Sequence, residues 1–320
     1  MKVGVSIGIA EVNGRVDTLG AVMSAADVAC YSAKDSGRNR VQTYRQGRAP
    51  ERHREMQWVS RITRACEEDQ LVLLAQHIVP IRAGVEDLRH FELLLRMRDD
   101  DGQLVPPAEF IPAAERFNLM PVVDRWVVRQ ACRRLAHRRG ESGTRDPFTL
   151  SLNVSGTTLH DEQFLEFVIA EMTAADLSPG ALCFEVTEAA AMTSLAATTH
   201  FIRELRSRGC RFALDDFGSG LSSFIFLKSL PVDFLKIDGH FVHNVTHDRI
   251  DRGMVEAIAQ IGHTMGILTI AERVDSAETL ARLADIGIQY AQGNYIGAPQ
   301  SVEVLDTLLK SDPANFRLTA

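Results

Sequence analysis

The chain has 320 residues, of which 45% are hydrophobic and 24% charged, with a formal net charge of -7; this is the composition of a globular protein with room for one barrel-sized domain plus a fragment. The acidic balance excludes a general binder of DNA or RNA polymers, which presents a basic face. Five scattered cysteines without CxxC spacing exclude a disulfide framework and fit reduced thiols, no apolar run approaches the ~18 residues of a membrane span, and "MKVGVSIGIAEVNGR" holds no signal-peptide core, so a cytoplasmic chain is expected.

Residues 1–45 hold one apolar run, "VGVSIGIAEV", and a helical pattern within "VMSAADVACYSAKDSGRNRVQTY". A piece of this size rarely holds a core alone. Residues 46–67 are charged and helical in pattern and read as a connecting helix. From residue 68 onward short apolar runs alternate with amphipathic stretches. Strands are expected at 71–81, 90–96, 149–154, 182–187, 211–216, 234–237, 267–271 and 289–292, and helices at 122–138, 161–174, 195–208, 251–265 and 277–286. The first two strands have no helix between them and should form an antiparallel hairpin. This rhythm predicts an α/β fold, a (β/α)8 TIM-like barrel irregular at its start, with a small N-terminal α/β fragment. An open doubly wound sheet is the structural alternative. The basic run "CRRLAHRR" reads as a solvated helix end.

Polar residues gather near the carboxyl ends of these strands: Glu92, Asn153, Glu185 and Glu188, the adjacent pair Asp215 and Asp216, Lys236, Glu272 and Gln292. In α/β barrels that end builds the active site. So many anions at one mouth need a counter-charge. No Cys or His stands at these strand ends, and a set of carboxylate and amide oxygens suits Mg2+ or Mn2+. Asp215 and Asp216 can serve different ions, or one can bridge two. Metal pairs held in this way hydrolyse phosphodiesters, although acid placement alone also allows an unrelated metal hydrolase.

The set "FELLLRM", "LNVS", "FEVTE", "LDDFGSGLSS", "LKID", "IAERVDS" and "AQGNYIGAP", with "PPAEFIPAAERFNLM" and "DRWVVRQAC" between, resembles the EAL family of cyclic di-GMP phosphodiesterases over about residues 58–312. The resemblance implies an antiparallel first strand and hydrolysis of cyclic di-GMP to linear 5′-pGpG with two Mg2+ or Mn2+ ions; Ca2+, which prefers more ligands at longer distances, is expected to support binding and inhibit cleavage. It places Glu92, Asn153, Glu185 and Asp215 on one ion, and Asp215 with Asp216 on the second. It makes Lys236 the holder of the attacking water, Glu272 and Gln292 pocket groups near the second ion, Glu188 the anchor of a mobile DDFG loop, and Gln76 and Arg96 contacts to the dinucleotide. A homodimer through the barrel domain belongs to the same expectation. Residues 1–45, with Ala26-Asp27, Tyr31, Ala33-Lys34 and Gly37-Arg38-Asn39-Arg40 in family order, resemble the C-terminal end of a GGDEF diguanylate cyclase domain, whose intact parent would be a tandem regulator.

The chain departs from the EAL pattern at Leu93, Ser219, Arg273, Asp275 and Asn294. No departure removes a ligand. They keep open a rival reading, a degenerate domain that binds cyclic di-GMP as a receptor without cutting it. His240, His243 and His247, spaced for one helical face, read as a solvated helix start rather than a zinc site.

Overall fold

The computed structural model describes residues 5–12, 22–23, 26, 29–30, 33, 40–43, 49–82, 84–85, 89–142, 148–218 and 224–303. Near the N-terminus β1 (Ile7–Ile9) and β2 (Val41–Thr43) pair in parallel, and α1 (Ala49–Glu67) follows. Ser219 and Gly220 lie outside the described residues, as do Asp27, Tyr31, Lys34 and residues 37–39.

Eight strands then close into a ring. They are β3 (Leu71–Pro80), β4 (His90–Arg98), β6 (Thr149–Asn153), β7 (Leu182–Thr187), β8 (Arg211–Phe217), β9 (Phe234–Ile237), β10 (Leu268–Ala271) and β11 (Tyr290–Ala291); the short β5 (Leu104–Val105) and β12 (Gln300–Ser301) lie outside the ring. Around the ring the order is β3-β11-β10-β9-β8-β7-β6-β4, and β4 pairs back onto β3. All neighbours are parallel except β3, which is antiparallel to both β4 and β11. The closed ring rules out an open doubly wound sheet. Each expected strand has its counterpart. Sequence patterning did not anticipate β5 and β12, whose two residues each are too short to show a period.

Strand alternation sorts the side chains into two layers. Leu93, Leu152, Phe184, Leu214, Leu235 and Ala271 point outward into the large core shared with the helices. One of these helices is α3, which follows the smaller α2 (Pro107–Arg116) and runs Met120–Ser142. Of the α3 positions expected on one face, Val123, Val127, Cys132 and Leu135 are buried and Trp126 is half-buried. Inside the ring, Ile78, Cys183, Ala213, Phe234, Ile270 and Tyr290 form a dry floor. Among the described residues no helix is long and apolar enough to cross a membrane.

The β3–β4 hairpin extends past the ring on the side where the parallel strands end. There Leu71 pairs with Met97. A second core forms at this end: Ile62 and Ala65 of α1 pack with Leu71, Met97, Val105, Phe110 and Ala114. Arg64 of α1 donates from Nη2 to Asp100 Oδ1 at 2.6 Å. The helix expected as a connector is thus also part of the barrel's mouth.

Candidate metal centre

Inward-pointing positions one step above the dry floor carry the polar residues: Gln76 on β3, Glu92 on β4, Asn153 on β6, Glu185 on β7, Asp215 on β8, Lys236 on β9, and Glu272 and Gln292 just past β10 and β11. Glu92 lies two residues after buried His90, and Glu185 two after Cys183, as the period of a strand requires. Gln76 sits directly across from Glu92 in the antiparallel register.

Lys236 is completely buried, and its Nζ meets four carboxylates: Glu185 Oε2 at 2.5 Å, Glu272 Oε1 at 2.7 Å, Glu92 Oε2 at 3.2 Å and Asp215 Oδ1 at 3.4 Å. Burial alone would strip the ammonium of its proton, but Asp215, Glu185, Glu272 and Glu92 outweigh it and hold its pKa well above the ordinary lysine value. The acids divide. Burial, opposed and overcome by the Lys236 charge and by hydrogen bonds from Gln292 and Asn153, leaves Glu92 below the usual carboxylate range. Burial, with Glu92 and Asp215 nearby, pushes Glu185 well above it. Burial likewise carries Glu272 up to about 7, Lys236 opposing the rise and Asp215 and Glu92 adding to it.

Amide groups complete the inner half. Asn153 Nδ2 donates to Glu92 Oε1 at 2.7 Å. Gln292 Nε2 donates to Glu92 Oε2 at 2.8 Å and to Gln76 Oε1 at 3.0 Å, and Gln76 Nε2 donates to the Gly297 carbonyl at 2.9 Å.

Asp216 needs a different device. In a regular strand it would point outward with Leu214. Between Leu214 and Phe217 strand β8 advances three residues while β9 advances two, from Leu235 to Ile237, so one residue bulges. Asp216 adopts φ 53°, and its backbone N–H donates to Asp215 Oδ1 at 2.9 Å. Ligand oxygens of Asp215, Asp216 and Glu272 thereby come within 4.8 Å of one another. Consecutive carboxylates thus face one cavity of about 660 Å³, whose lining includes Gln76, Glu92, Asp215, Asp216, Glu272 and Gln292. Burial raises the Asp216 carboxyl, and the neighbouring Asp215 and Asp238 charges raise it further.

The donor set fits hard divalent cations. It is all oxygen, and Glu185 Oε1 is a buried carboxylate oxygen with no hydrogen-bond partner among the described residues, a lone pair that a cation would satisfy. Asn153, Glu185 and Lys236 are not part of the cavity lining but join it from beneath, Asn153 and Lys236 through Glu92 and Glu185 through Lys236. Glu188 and Arg96 stand further apart. Glu188 is buried at the start of a short helix, Glu188–Thr193, where its Oε2 accepts from Gly218 N at 3.2 Å and holds the first residue of the loop after the aspartates. Arg96, further along β4, does not line the cavity, and its Nη1 donates to the Leu95 carbonyl at 2.7 Å. His240 and His243 line the rim, and the helix that carries them, Gly239–Asn244, ends before His247.

Sequence reading missed Asp124. This buried α3 side chain accepts from Ser155 Oγ at 2.8 Å and from Ser155 N at 3.2 Å, and so pins the turn that follows Asn153. Burial, only partly offset by bonds from Thr158 and Ser155, raises its carboxyl to about 6. A lone acid in the first turns of an amphipathic helix, facing a turn with Ser155, Thr157 and Thr158, is the signal that marks it.

A family model described as EAL domain matches residues 59–299. The chain is 39% identical over 303 residues to the cyclic di-GMP phosphodiesterase PdeB of Shewanella oneidensis, covering 93% of this chain and 35% of PdeB. It is 32% identical over 305 residues to the bifunctional diguanylate cyclase/cyclic di-GMP phosphodiesterase MucR of Pseudomonas aeruginosa, covering 95% of this chain and 44% of MucR. The chain therefore spans less than half the length of these two relatives. A solved structure of the PaMucR phosphodiesterase in complex with c-di-GMP superposes with a TM-score of 0.71 at 30% identity, over 78% of this chain and 99% of that one.

Proposed function

This chain belongs to the EAL domain family, and from that premise we propose that it hydrolyses cyclic di-GMP to linear 5′-pGpG at the acidic centre. The observation that carries the reading is the complete, converging donor set, with Asp215, Asp216 and Glu272 gathered at one point above Lys236. A pure receptor has no need of so many mutually repelling acids.

Glu92, Asn153, Glu185 and Asp215 would hold one divalent ion, and Asp215 with Asp216 the other. Two bound Mg2+ or Mn2+ ions supply Lewis-acid activation of water and neutralisation of the departing 3′-oxygen. Lys236 has its ammonium fixed among the carboxylates and serves as a directed donor that orients the attacking water. Gln76 and Gln292 already form a hydrogen-bonded pair on the cavity wall and fix the orientation of Glu92. Glu188, through Gly218, sets where the loop after Asp216 begins. Water adds across one P–O3′ bond, leaving a 5′-phosphate and a free 3′-hydroxyl.

Residues 1–45 are read as the end of a GGDEF domain joined by α1 to the barrel, in keeping with the motif order and with a relative named as bifunctional. The deciding experiment is incubation with cyclic di-GMP and Mg2+ or Mn2+, followed by chromatography. Linear product that disappears on chelation supports the enzyme. Tight binding with the cyclic compound left intact makes the chain a receptor.

A further inference from the structure

Arg273 is the feature of the cavity that the acidic centre does not explain. Among the described residues that line the cavity it is the one side chain with a permanent positive charge. Lys236 lies beneath, buried and engaged by four acids. Arg273, by contrast, is exposed and forms no hydrogen bond or ion pair with any described residue, although its charge reaches Asp216 and opposes the rise of that carboxyl. Asp275, two residues on, does not neutralise it, because the Asp275 carboxylate is taken by His243 Nδ1 at 2.9 Å.

The backbone goes to some expense to present this cation. Arg273 has φ 52°, a left-handed conformation that is unfavourable for a residue with a long side chain. Its neighbours hold it there: Val274 N donates to the Gln292 carbonyl at 2.9 Å, and Tyr295 N donates to the Val274 carbonyl at 3.1 Å. The aliphatic stem lies on Gly239, where an added Cβ would overlap the Arg273 Cβ, Cγ and Cδ. A glycine therefore leaves the groove in which the stem rests, and the guanidinium is left at the cavity rim.

A cyclic dinucleotide carries two phosphodiesters on opposite sides of one ring. One reaches the acidic centre. The other must leave that centre for the rest of the lining, where Asp275 and the outer side of the centre's own carboxylates repel an anion unless a cation meets it. We propose that Arg273 is a substrate-positioning residue that holds the non-reacting phosphodiester. This inference rests on the phosphodiesterase reading above.

The test compares wild type, Arg273→Gly and Arg273→Lys on two substrates, cyclic di-GMP and bis(p-nitrophenyl) phosphate, which has a single phosphodiester. Arg273→Gly should raise KM for cyclic di-GMP about tenfold, the loss of one exposed charge-assisted contact, with kcat changed less than about twofold. Its KM for the one-phosphate substrate should be unchanged. Arg273→Lys should recover most of the affinity, and the difference should shrink in about 0.5 M salt. The melting temperature of Arg273→Gly should not fall, since glycine relieves the left-handed φ; a purely structural arginine would give no KM change with that result. An unchanged KM for cyclic di-GMP overturns the proposal, and so does an equal rise on both substrates, which would place Arg273 on the reacting phosphate or the ions. A wild type that cuts neither substrate removes the phosphodiesterase reading itself, and this proposal with it.

Discussion

The inner and outer halves of the acidic centre are built by different means. Glu92, Asn153, Glu185 and Lys236 stand on regular strands, and the alternation of the backbone alone points them inward. Asp216 and Arg273 stand on left-handed backbone, at φ 53° and φ 52°, and reach the cavity only because a bulge and a clamped loop re-aim them. The inner half is therefore set by the fold. The outer half is set by local irregularity that the rest of the structure must hold in place.

The largest effect should come from the inner half. Lys236→Ala leaves four acids around a buried void. Without divalent ions it should destabilise the protein by about 3–5 kcal/mol, the penalty for orphaning buried charge, and saturating Mn2+ should restore much of this by binding the folded state. Denaturant melts with and without metal check it. Hydrolysis should fall about 10²–10³-fold even when the protein is loaded, with substrate affinity nearly kept. A loss confined to affinity would make Lys236 a phosphate anchor instead.

Next comes the contrast within the aspartate pair. Asp215→Asn removes the charge proposed to be shared between two ions, which also touches Lys236, so binding and cleavage should both collapse. Asp216→Gly removes only an outer ligand and relieves a strained φ. It should melt no lower than wild type, bind cyclic di-GMP, cut it poorly, and recover partly at high Mn2+. Calorimetry beside product formation reads both, and equal behaviour of the two variants would undo the division into halves.

Asp124 tests the inner half through its support. Its carboxyl sits at about 6 in the folded protein against an ordinary 3.8. A raised acid favours folding while protonated, so this contribution is fully present below about pH 3.8 and is lost as pH rises through about 6. The loss is on the order of 3 kcal/mol. Asp124→Asn has no such titration. The stability of wild type relative to Asp124→Asn should decline between pH 4 and 7, and a flat difference would show that the turn after Asn153 does not sense this charge. Smallest of all, Gly239→Ala should push Arg273 from its groove and cost about 1 kcal/mol by overpacking, leaving the inner half intact. Metal titrations of this variant should match those of wild type.

Sequence patterning anticipated the inner half well. Periods of two place Glu92, Asn153, Glu185 and Lys236 on the same side as the floor residues, and the eight apolar runs closed into the ring they predicted. The outer half was not legible in this way. Strand alternation would send Asp216 away from Asp215, so adjacency in a cluster of acids suggested that the two could serve the same metals without showing how; the bulge that does so arises from pairing with β9, which is distant in sequence. Arg273 could be noticed as unusual, but its left-handed φ and the groove at Gly239 are tertiary facts. Asp124 escaped notice because its partner Ser155 lies 31 residues away.

The reversal of β3 also decides from which side the chain arrives. In a ring of uniformly parallel strands the first strand would begin on the back. Here Leu71 begins beside Met97, on the side toward which Glu92 and Glu185 lead their strands, and α1 comes down onto that same end through Ile62 and Ala65. Any rotation or withdrawal of α1 therefore acts first on the doorway of the barrel, on the hairpin that carries Gln76 and Glu92, and reaches the far face only through the whole thickness of the ring.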